Sequence, residues 1–120
     1  MATRGFIYVA ITLVLTVVGQ LMIKWRVDDA GEFPDSGRLS FLLKLLIDPW
    51  IVLAFALAGV AALAYLAALA NLELSRAYPV MALSFGLVII GSAAFFSEAL
   101  SVTKVIGIVL ITLGVFVATR

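Results

Sequence analysis

The sequence predicts an all-α membrane protein, a bundle of four transmembrane helices with a short interfacial amphipathic helix between helices 1 and 2. Hydrophobic residues make up 65% of its 120 residues and charged residues only 12%, whereas a soluble domain carries about 25% charged residues. The charged residues leave four long uncharged runs, at 5–23, 49–72, 77–97 and 105–119. Since a helix crosses the hydrocarbon core with roughly 20 apolar residues, each run predicts one helix of a single domain spanning residues 1–120.

Helix 1 is predicted from the first run, which follows Arg4 and is too long for the apolar region of a signal peptide. Its polar residues recur every four positions and form one stripe: Tyr8, Thr12, Thr16, Gln20 and Lys24. Polar groups in hydrocarbon are costly unless they meet a partner or a wet cavity. Two interpretations stay open: the stripe holds neighbouring helices together, or its Gln20–Lys24 end lines a cavity or binds a lipid headgroup.

The segment before helix 2 divides into two parts. Residues 26–37 are acidic and contain proline and glycine, which predicts a solvated loop. In 38–48 the polar residues Ser40, Lys44 and Asp48 recur every four positions among apolar ones, which predicts an amphipathic segment on the membrane surface. Asp48 and Pro49 then supply an N-cap and a first-turn proline for helix 2.

Helix 3 is expected to open with Arg76-Ala77-Tyr78-Pro79, because a proline at the start of a helix costs no hydrogen bond. Tyr78 would then lie at interface depth, either as an aromatic anchor or as a substrate contact. Small residues further along the helix, Ser84 among them, allow close packing or leave room for a ligand.

Helix 4 reaches 18 residues if it begins at Val102 and Lys104 extends its ammonium group to the interface. Gly107 and Gly114 lie a heptad apart and so share one face, which suits close packing within the bundle or between subunits. Because four helices of this length enclose little room for a substrate, we expect a dimer or a higher assembly.

The composition excludes several kinds of chemistry. The chain has no cysteine and no histidine, and nothing in it forms a nucleophile–base pair, so we expect neither an enzyme nor a metal or other cofactor. A net charge of +1 is too small for the basic surface that binds nucleic acid. The sequence also contains no phosphate-binding loop for ATP. The four runs also contain no acidic residue, although a proton-coupled exporter of cations normally needs a carboxylate inside the membrane.

Several short motifs resemble the drug/metabolite transporter superfamily, and the resemblance covers nearly the whole chain. They are Gly19-Gln20 followed by Lys24, residues 74–79, residues 95–98 and the two glycines of helix 4. The nearest four-helix branches are the small multidrug resistance transporters and the two small subunits of the aminoarabinose-phospho-undecaprenol flippase. The multidrug branch carries a glutamate where this chain has Thr16, whereas the Gly-Gln pair followed by Lys and the Ala-Tyr-Pro motif are closer to the flippase subunits.

The resemblance implies a transporter that flips a polyprenyl-phosphate-linked sugar, or a similar lipid-linked metabolite, across the bilayer of a bacterial or archaeal cytoplasmic membrane. The residues expected to bind substrate are Thr16, Gln20, Lys24, Arg76, Tyr78 and Ser84. Gly107 and Gly114 would form the interface of a homodimer, or of a heterodimer with a related four-helix subunit. The alternative is a small multidrug resistance-type exporter of cationic compounds coupled to protons, which the missing carboxylate disfavours.

Overall fold

The computed structural model describes residues 2–120, which fold almost entirely as helices. In chain order these are α1 (Ala2–Ala30), α2 (Arg38–Leu46), α3 (Pro49–Leu69), α4 (Leu74–Met81), α5 (Leu83–Phe95) and α6 (Val102–Ala118). Three segments are long and apolar enough to cross a membrane, Thr3–Ala30, Pro49–Leu69 and Leu74–Phe95, and α6 is a shorter apolar helix. The chain is therefore an all-helical, multi-pass membrane protein.

The helices pack around α1, which lies against α3 along much of its length and against α5 on another side, while α6 contacts α4 and α5. Few apolar residues are buried, and four of them, Val9, Ala68, Leu72 and Ala77, form one cluster. Most large apolar side chains lie on the outside; Leu63, for example, is 66% exposed. Such an exterior is unfavourable in water but suits a bundle whose surroundings are lipid chains.

Helix α1 continues beyond the predicted start of the solvated loop at residue 26 and ends at Ala30, so that prediction is wrong for residues 26–30. Two ion pairs lie along this last part of the helix: Lys24 Nζ is 2.9 Å from Asp28, and Arg26 is 3.3 Å from Asp29. Pairs spaced three or four residues apart stabilise a helix in water. Gly31 then ends the helix with a left-handed φ of 97°, a conformation that glycine adopts without strain.

The third predicted helix begins earlier than expected and is interrupted. Because α4 begins at Leu74, Pro79 lies inside it and not at its start, which contradicts the predicted position of this proline. Proline has no N–H to donate to the carbonyl of Ser75, so one helical hydrogen bond is missing. Three residues later the Ala82 N–H donates to the Pro79 carbonyl at 3.0 Å, a hydrogen bond of the tighter 3₁₀ type. Helix α5 follows directly.

The starts of α3 and α6 agree with the sequence. Asp48 caps α3 by accepting a 2.9 Å hydrogen bond from the Trp50 N–H, and Pro49 occupies the first turn. At α6, which begins at Val102 as expected, the Ser101 hydroxyl oxygen accepts from the Lys104 N–H at 3.2 Å. Side-chain acceptors at these positions satisfy amide groups that have no partner within the helix.

Candidate functional site

A cavity of about 470 Å³, which we call the furrow, lies between α1, α3 and the junction of α4 with α5. Its floor on the α3 side is made of small residues one or two turns apart, Ala54, Ala58 and Ala61, which leave space because they carry only a methyl group. The remaining lining residues are Thr12, Leu15, Thr16, Gly19, Gln20, Ile23, Ala62, Tyr65, Tyr78, Met81, Ala82, Ser84 and Phe85. The walls are thus mostly apolar and carry a few hydroxyl and amide groups.

The polar stripe of α1 has different surroundings along its length. Thr12 is buried, and its hydroxyl lies 2.8 Å from the Tyr8 carbonyl and 3.3 Å from the Ala61 carbonyl of α3. Its single hydroxyl hydrogen is shared between the two carbonyl oxygens, and the longer contact links α1 to α3. Thr16 and Gln20 line the furrow one and two turns later, and their side chains make no hydrogen bond to any other residue in 2–120. Thr12 thus contacts a neighbouring helix, as the first interpretation expects, and Gln20 lines a cavity, as the second expects, but Lys24 is not part of the lining.

Four of the six predicted substrate-binding residues line the furrow together: Thr16, Gln20, Tyr78 and Ser84. The other two lie outside its lining. Lys24 forms ion pairs with Asp28 at 2.9 Å and with Glu98, in the segment after α5, at 3.9 Å. The Arg76 guanidinium lies over the Phe6 ring, 5.5 Å from its centroid. Phe6 and Lys24 are 18 residues apart on α1, or about 27 Å along the helix, so the two cations mark opposite ends of the furrow.

Comparison with known proteins adds relatives but no structural template: no family model and no solved structure matches this chain. A probable 4-amino-4-deoxy-L-arabinose-phosphoundecaprenol flippase subunit ArnF of Pseudomonas fluorescens (strain Pf0-1) is 33% identical, over 93% of this chain and 84% of the relative. The ArnF of Pseudomonas aeruginosa (strain LESB58) is 31% identical, over 95% and 83%. A probable ArnE subunit of Yersinia pestis (strain Pestoides F) is 28% identical, over 93% of both chains.

The chain belongs to the family of aminoarabinose-phosphoundecaprenol flippase subunits. This confirms the resemblance to the small flippase subunits that the motifs of helices 1, 3 and 4 indicate. The names of the relatives describe subunits of a transporter and not enzymes, which agrees with the expectation that the chain has no catalytic activity.

At one end of the furrow this flippase-family chain has an ion pair that the sequence pattern did not predict. Arg26 donates to Asp48 Oδ2 from Nη2 at 2.8 Å and from Nε at 3.1 Å, while Asp48 Oδ1 caps α3. The hydrogen bond from Arg26 is the main reason that the pKa of the Asp48 carboxyl lies below its usual range. Trp25 and Trp50 pack edge to face beside the pair, with ring centroids 5.4 Å apart. The Arg26 guanidinium is thus already paired with a carboxylate.

The glycine face of α6 has no partner within this flippase-family chain. A Cβ atom added at Gly107 or Gly114 would meet nothing within 4 Å in the part of the chain that the structure describes. Helix α6 instead packs through other residues; a Cβ at Gly86 of α5 would lie 3.3 Å from the Ile108 side chain. Packing of the two glycines within the bundle, one of the two uses left open by the sequence, does not occur in residues 2–120.

Tyr65 is the furrow residue that sequence reasoning missed. It lines the furrow, and its hydroxyl oxygen is buried without a hydrogen-bond partner among residues 2–120. A single tyrosine in a long apolar run has no periodic polar neighbours, so the sequence pattern gives no reason to select it. Only the packing of α3 against α1 and α4 brings it to the site.

Proposed function

We propose that this chain is one subunit of a flippase that carries a polyprenyl-phosphate-linked sugar across the bacterial inner membrane. The observation that carries the proposal is the furrow, in which Thr16, Gln20, Tyr78 and Ser84 present hydrogen-bonding groups along apolar walls. The relatives are named as flippase subunits for phosphoundecaprenol-linked 4-amino-4-deoxy-L-arabinose, and the Pseudomonas and Yersinia organisms that carry them are bacteria. This supports the same class of substrate for this chain.

The physical requirement of such a transporter matches a furrow of this composition. A sugar-phosphate headgroup loses hydration when it enters hydrocarbon, so it needs hydrogen-bonding groups along its path. The polyprenyl tail needs none and remains in the lipid. Gln20 and Tyr78 are both exposed on the monomer, and Tyr78 is 68% exposed, so their polar groups are available to a headgroup. Because no ATP site occurs in the sequence, net transport would follow a gradient of the lipid or of an ion.

The proposal includes the membrane arrangement and the assembly. The chain is one domain with four spanning helices, α6 being the fourth, and α2 lies in the interface. Spin labels at 40 and 44 would then be accessible to water and labels at 42 and 46 to lipid; equal accessibility at all four positions would contradict an interfacial α2. The assembly is a dimer, and the naming of both ArnE and ArnF relatives as subunits favours a heterodimer with a related four-helix chain.

The alternative is a proton-coupled exporter of cationic compounds. No carboxylate lines the furrow among the residues that the structure describes, and Thr16 stands where the multidrug branch would place one. The furrow of the described chain therefore lacks the carboxylate with which such an exporter exchanges protons for substrate.

The test is transport in liposomes that contain the chain together with its related subunit. One arm supplies phosphoundecaprenol-linked aminoarabinose in the outer leaflet, and a second arm supplies a cationic dye with a pH gradient. We expect the lipid-linked sugar to equilibrate between leaflets and the dye to stay outside. Uptake of the dye driven by protons, without flipping of the lipid, would replace the proposal with the alternative.

A further inference from the structure

The hydroxyl group of Tyr65 is an unused hydrogen-bond donor in the wall of the furrow. Its oxygen is shielded from solvent and has no partner within the described chain, although the residue itself lines the cavity. Folded proteins rarely leave a buried polar group unpaired, because it has lost its bond to water without gaining another. An unpaired donor beside a binding cavity is available for a bond to a bound molecule, once the ring turns enough to bring the shielded oxygen to the cavity.

The position of Tyr65 identifies the end of the furrow at which this bond would form. Tyr65 lies near the end of α3, and the short segment 70–73 then leads into α4, which carries Arg76 and Tyr78. Tyr78 lines the furrow with Tyr65. Gln20 and Ile23 lie toward the opposite end, where α1 leads to Lys24.

The distribution of charge differs between the two ends. At the far end, Lys24 is paired with Asp28 and Glu98, and Arg26 with Asp48. At the Tyr65 end, Arg76 lies on the Phe6 ring and has no ion pair within residues 2–120. Glu73, the acid at this end, precedes α4 and is not paired with Arg76 in the described chain. Arg76 is therefore a cation without an ion pair in the described chain at the end where Tyr65 lies.

We propose that Tyr65 is a substrate-positioning residue whose hydroxyl donates a hydrogen bond to a phosphate oxygen of the lipid-linked substrate at the Arg76 end of the furrow. The proposal rests on the flippase function above and adds a specific contact to it. The Arg76 guanidinium attracts the phosphate to this end of the furrow, and the hydrogen bond from Tyr65 orients it there. A neutral donor can strengthen binding of an anionic oxygen without adding another fixed charge in hydrocarbon.

The variant Tyr65→Phe tests the contact, because it removes one oxygen atom and keeps the ring. Tyr8→Phe is the matched control, since Tyr8 lies on α1 near the same end of the bundle but does not line the furrow. The probes are undecaprenyl phosphate and undecaprenol, which differ only in the phosphate. Binding to the assembled protein in nanodiscs is measured from the rise of its unfolding temperature with probe concentration.

We expect Tyr65→Phe to bind undecaprenyl phosphate about tenfold more weakly than wild type, the effect of losing one hydrogen bond to a charged group. Tyr8→Phe should bind it like wild type, and undecaprenol should not distinguish the variants. Without probe, Tyr65→Phe should unfold at or above the wild-type temperature, because its buried hydroxyl has no partner to lose.

Two results would overturn the inference while leaving the flippase function intact. In the first, Tyr65→Phe binds undecaprenyl phosphate as tightly as wild type. In the second, wild type flips the lipid-linked sugar but does not distinguish undecaprenyl phosphate from undecaprenol. If wild type neither binds undecaprenyl phosphate nor flips the lipid-linked sugar, the proposed function fails together with the inference.

Discussion

Thr12 and Gln20 lie two turns apart on the same polar stripe, yet their surroundings assign them opposite roles. The Thr12 hydroxyl is buried and contacts carbonyl oxygens of two helices. The Gln20 amide is exposed in the furrow and has no side-chain partner in residues 2–120. Spacing alone could not separate the two roles, because the difference depends on how α3 packs against successive turns of α1.

Replacing Gln20 with leucine should abolish translocation and leave folding and assembly intact. Leucine removes all hydrogen bonding at a position where the amide stabilises nothing in the described chain, so the unfolding temperature should equal or exceed that of wild type. Liposome transport and the mass of the detergent-solubilised assembly measure the two effects. Gln20→Asn, which keeps a shorter amide, is the control and should retain part of the activity. Wild-type transport by Gln20→Leu would exclude this residue from the headgroup path.

Replacing Thr12 with valine should have the reverse effect and lower stability. The change is nearly isosteric but removes the hydroxyl that contacts Ala61 of α3, which should cost about 0.6 kcal/mol in the membrane. Thr112→Val is the matched control, because the Thr112 hydroxyl contacts only its own helix, at the Ile108 carbonyl. Unfolding in mixed micelles measures both variants. Equal stability of the two would show that the contact between α1 and α3 contributes nothing.

At the scale of helices, the sequence predicted the starts of α3 and α6 better than the end of α1 or the course of α4. Asp48 caps α3 as predicted, through a contact two residues away, so the motif alone is informative, whereas the Ser101 cap of α6 was not predicted. The extension of α1 to Ala30 was missed because a charge-rich segment looks like a loop until its ion pairs are placed on one helix. The break at Ala82 was missed because Pro79 is equally compatible with the first turn of a helix.

The junction of α1 with α3 should lose stability in acid in a way that depends on Asp48. Its pKa is lower in the folded protein than the usual 3.8 because Arg26 donates hydrogen bonds to the carboxylate. The ion pair therefore stabilises the fold at pH values above the unfolded pKa, and this contribution is lost as the pH falls through the folded pKa.

Asp48→Asn should consequently unfold at a lower temperature than wild type near neutral pH, and the difference should shrink as the pH falls below 3.8. Asparagine caps a helix about as well as aspartate, so the variant reports mainly the ion pair. Arg26→Gln and the double variant complete a mutant cycle, measured by thermal unfolding in detergent. A difference that stays constant through the acid range would contradict a role for the charged pair.

At the scale of the whole molecule, the furrow and the glycine face of α6 were predictable to different degrees. Four of the six expected substrate-binding residues meet in the furrow because hydroxyl and amide groups in apolar helices are conspicuous in a sequence. Lys24 and Arg76 lie outside its lining because long cationic side chains turn to carboxylates and rings elsewhere in the fold. Tyr65 joins the site only through tertiary packing.

The glycine face of α6 should hold the assembly together. Two leucines at Gly107 and Gly114 would project from a face that meets nothing within the described chain, so the fold of the monomer should tolerate them. A partner helix packed closely on this face would be pushed away, because glycine permits an approach that leucine prevents. The double variant should therefore dissociate at a lower detergent concentration than wild type, as measured by cross-linking and by mass.

Gly59→Leu is the matched control for this prediction. A Cβ at Gly59 also meets nothing within 4 Å, but this glycine lies on α3, away from the proposed interface. It should introduce the same apolar bulk without weakening the assembly, which separates loss of a specific contact from a general effect of leucine on solubility. If the double variant and the Gly59→Leu control both keep the mass and the cross-linking pattern of the wild type, the subunits associate through another face. The furrow, which opens between α3 and the α4–α5 junction, would then be the next surface to test for contact with the partner.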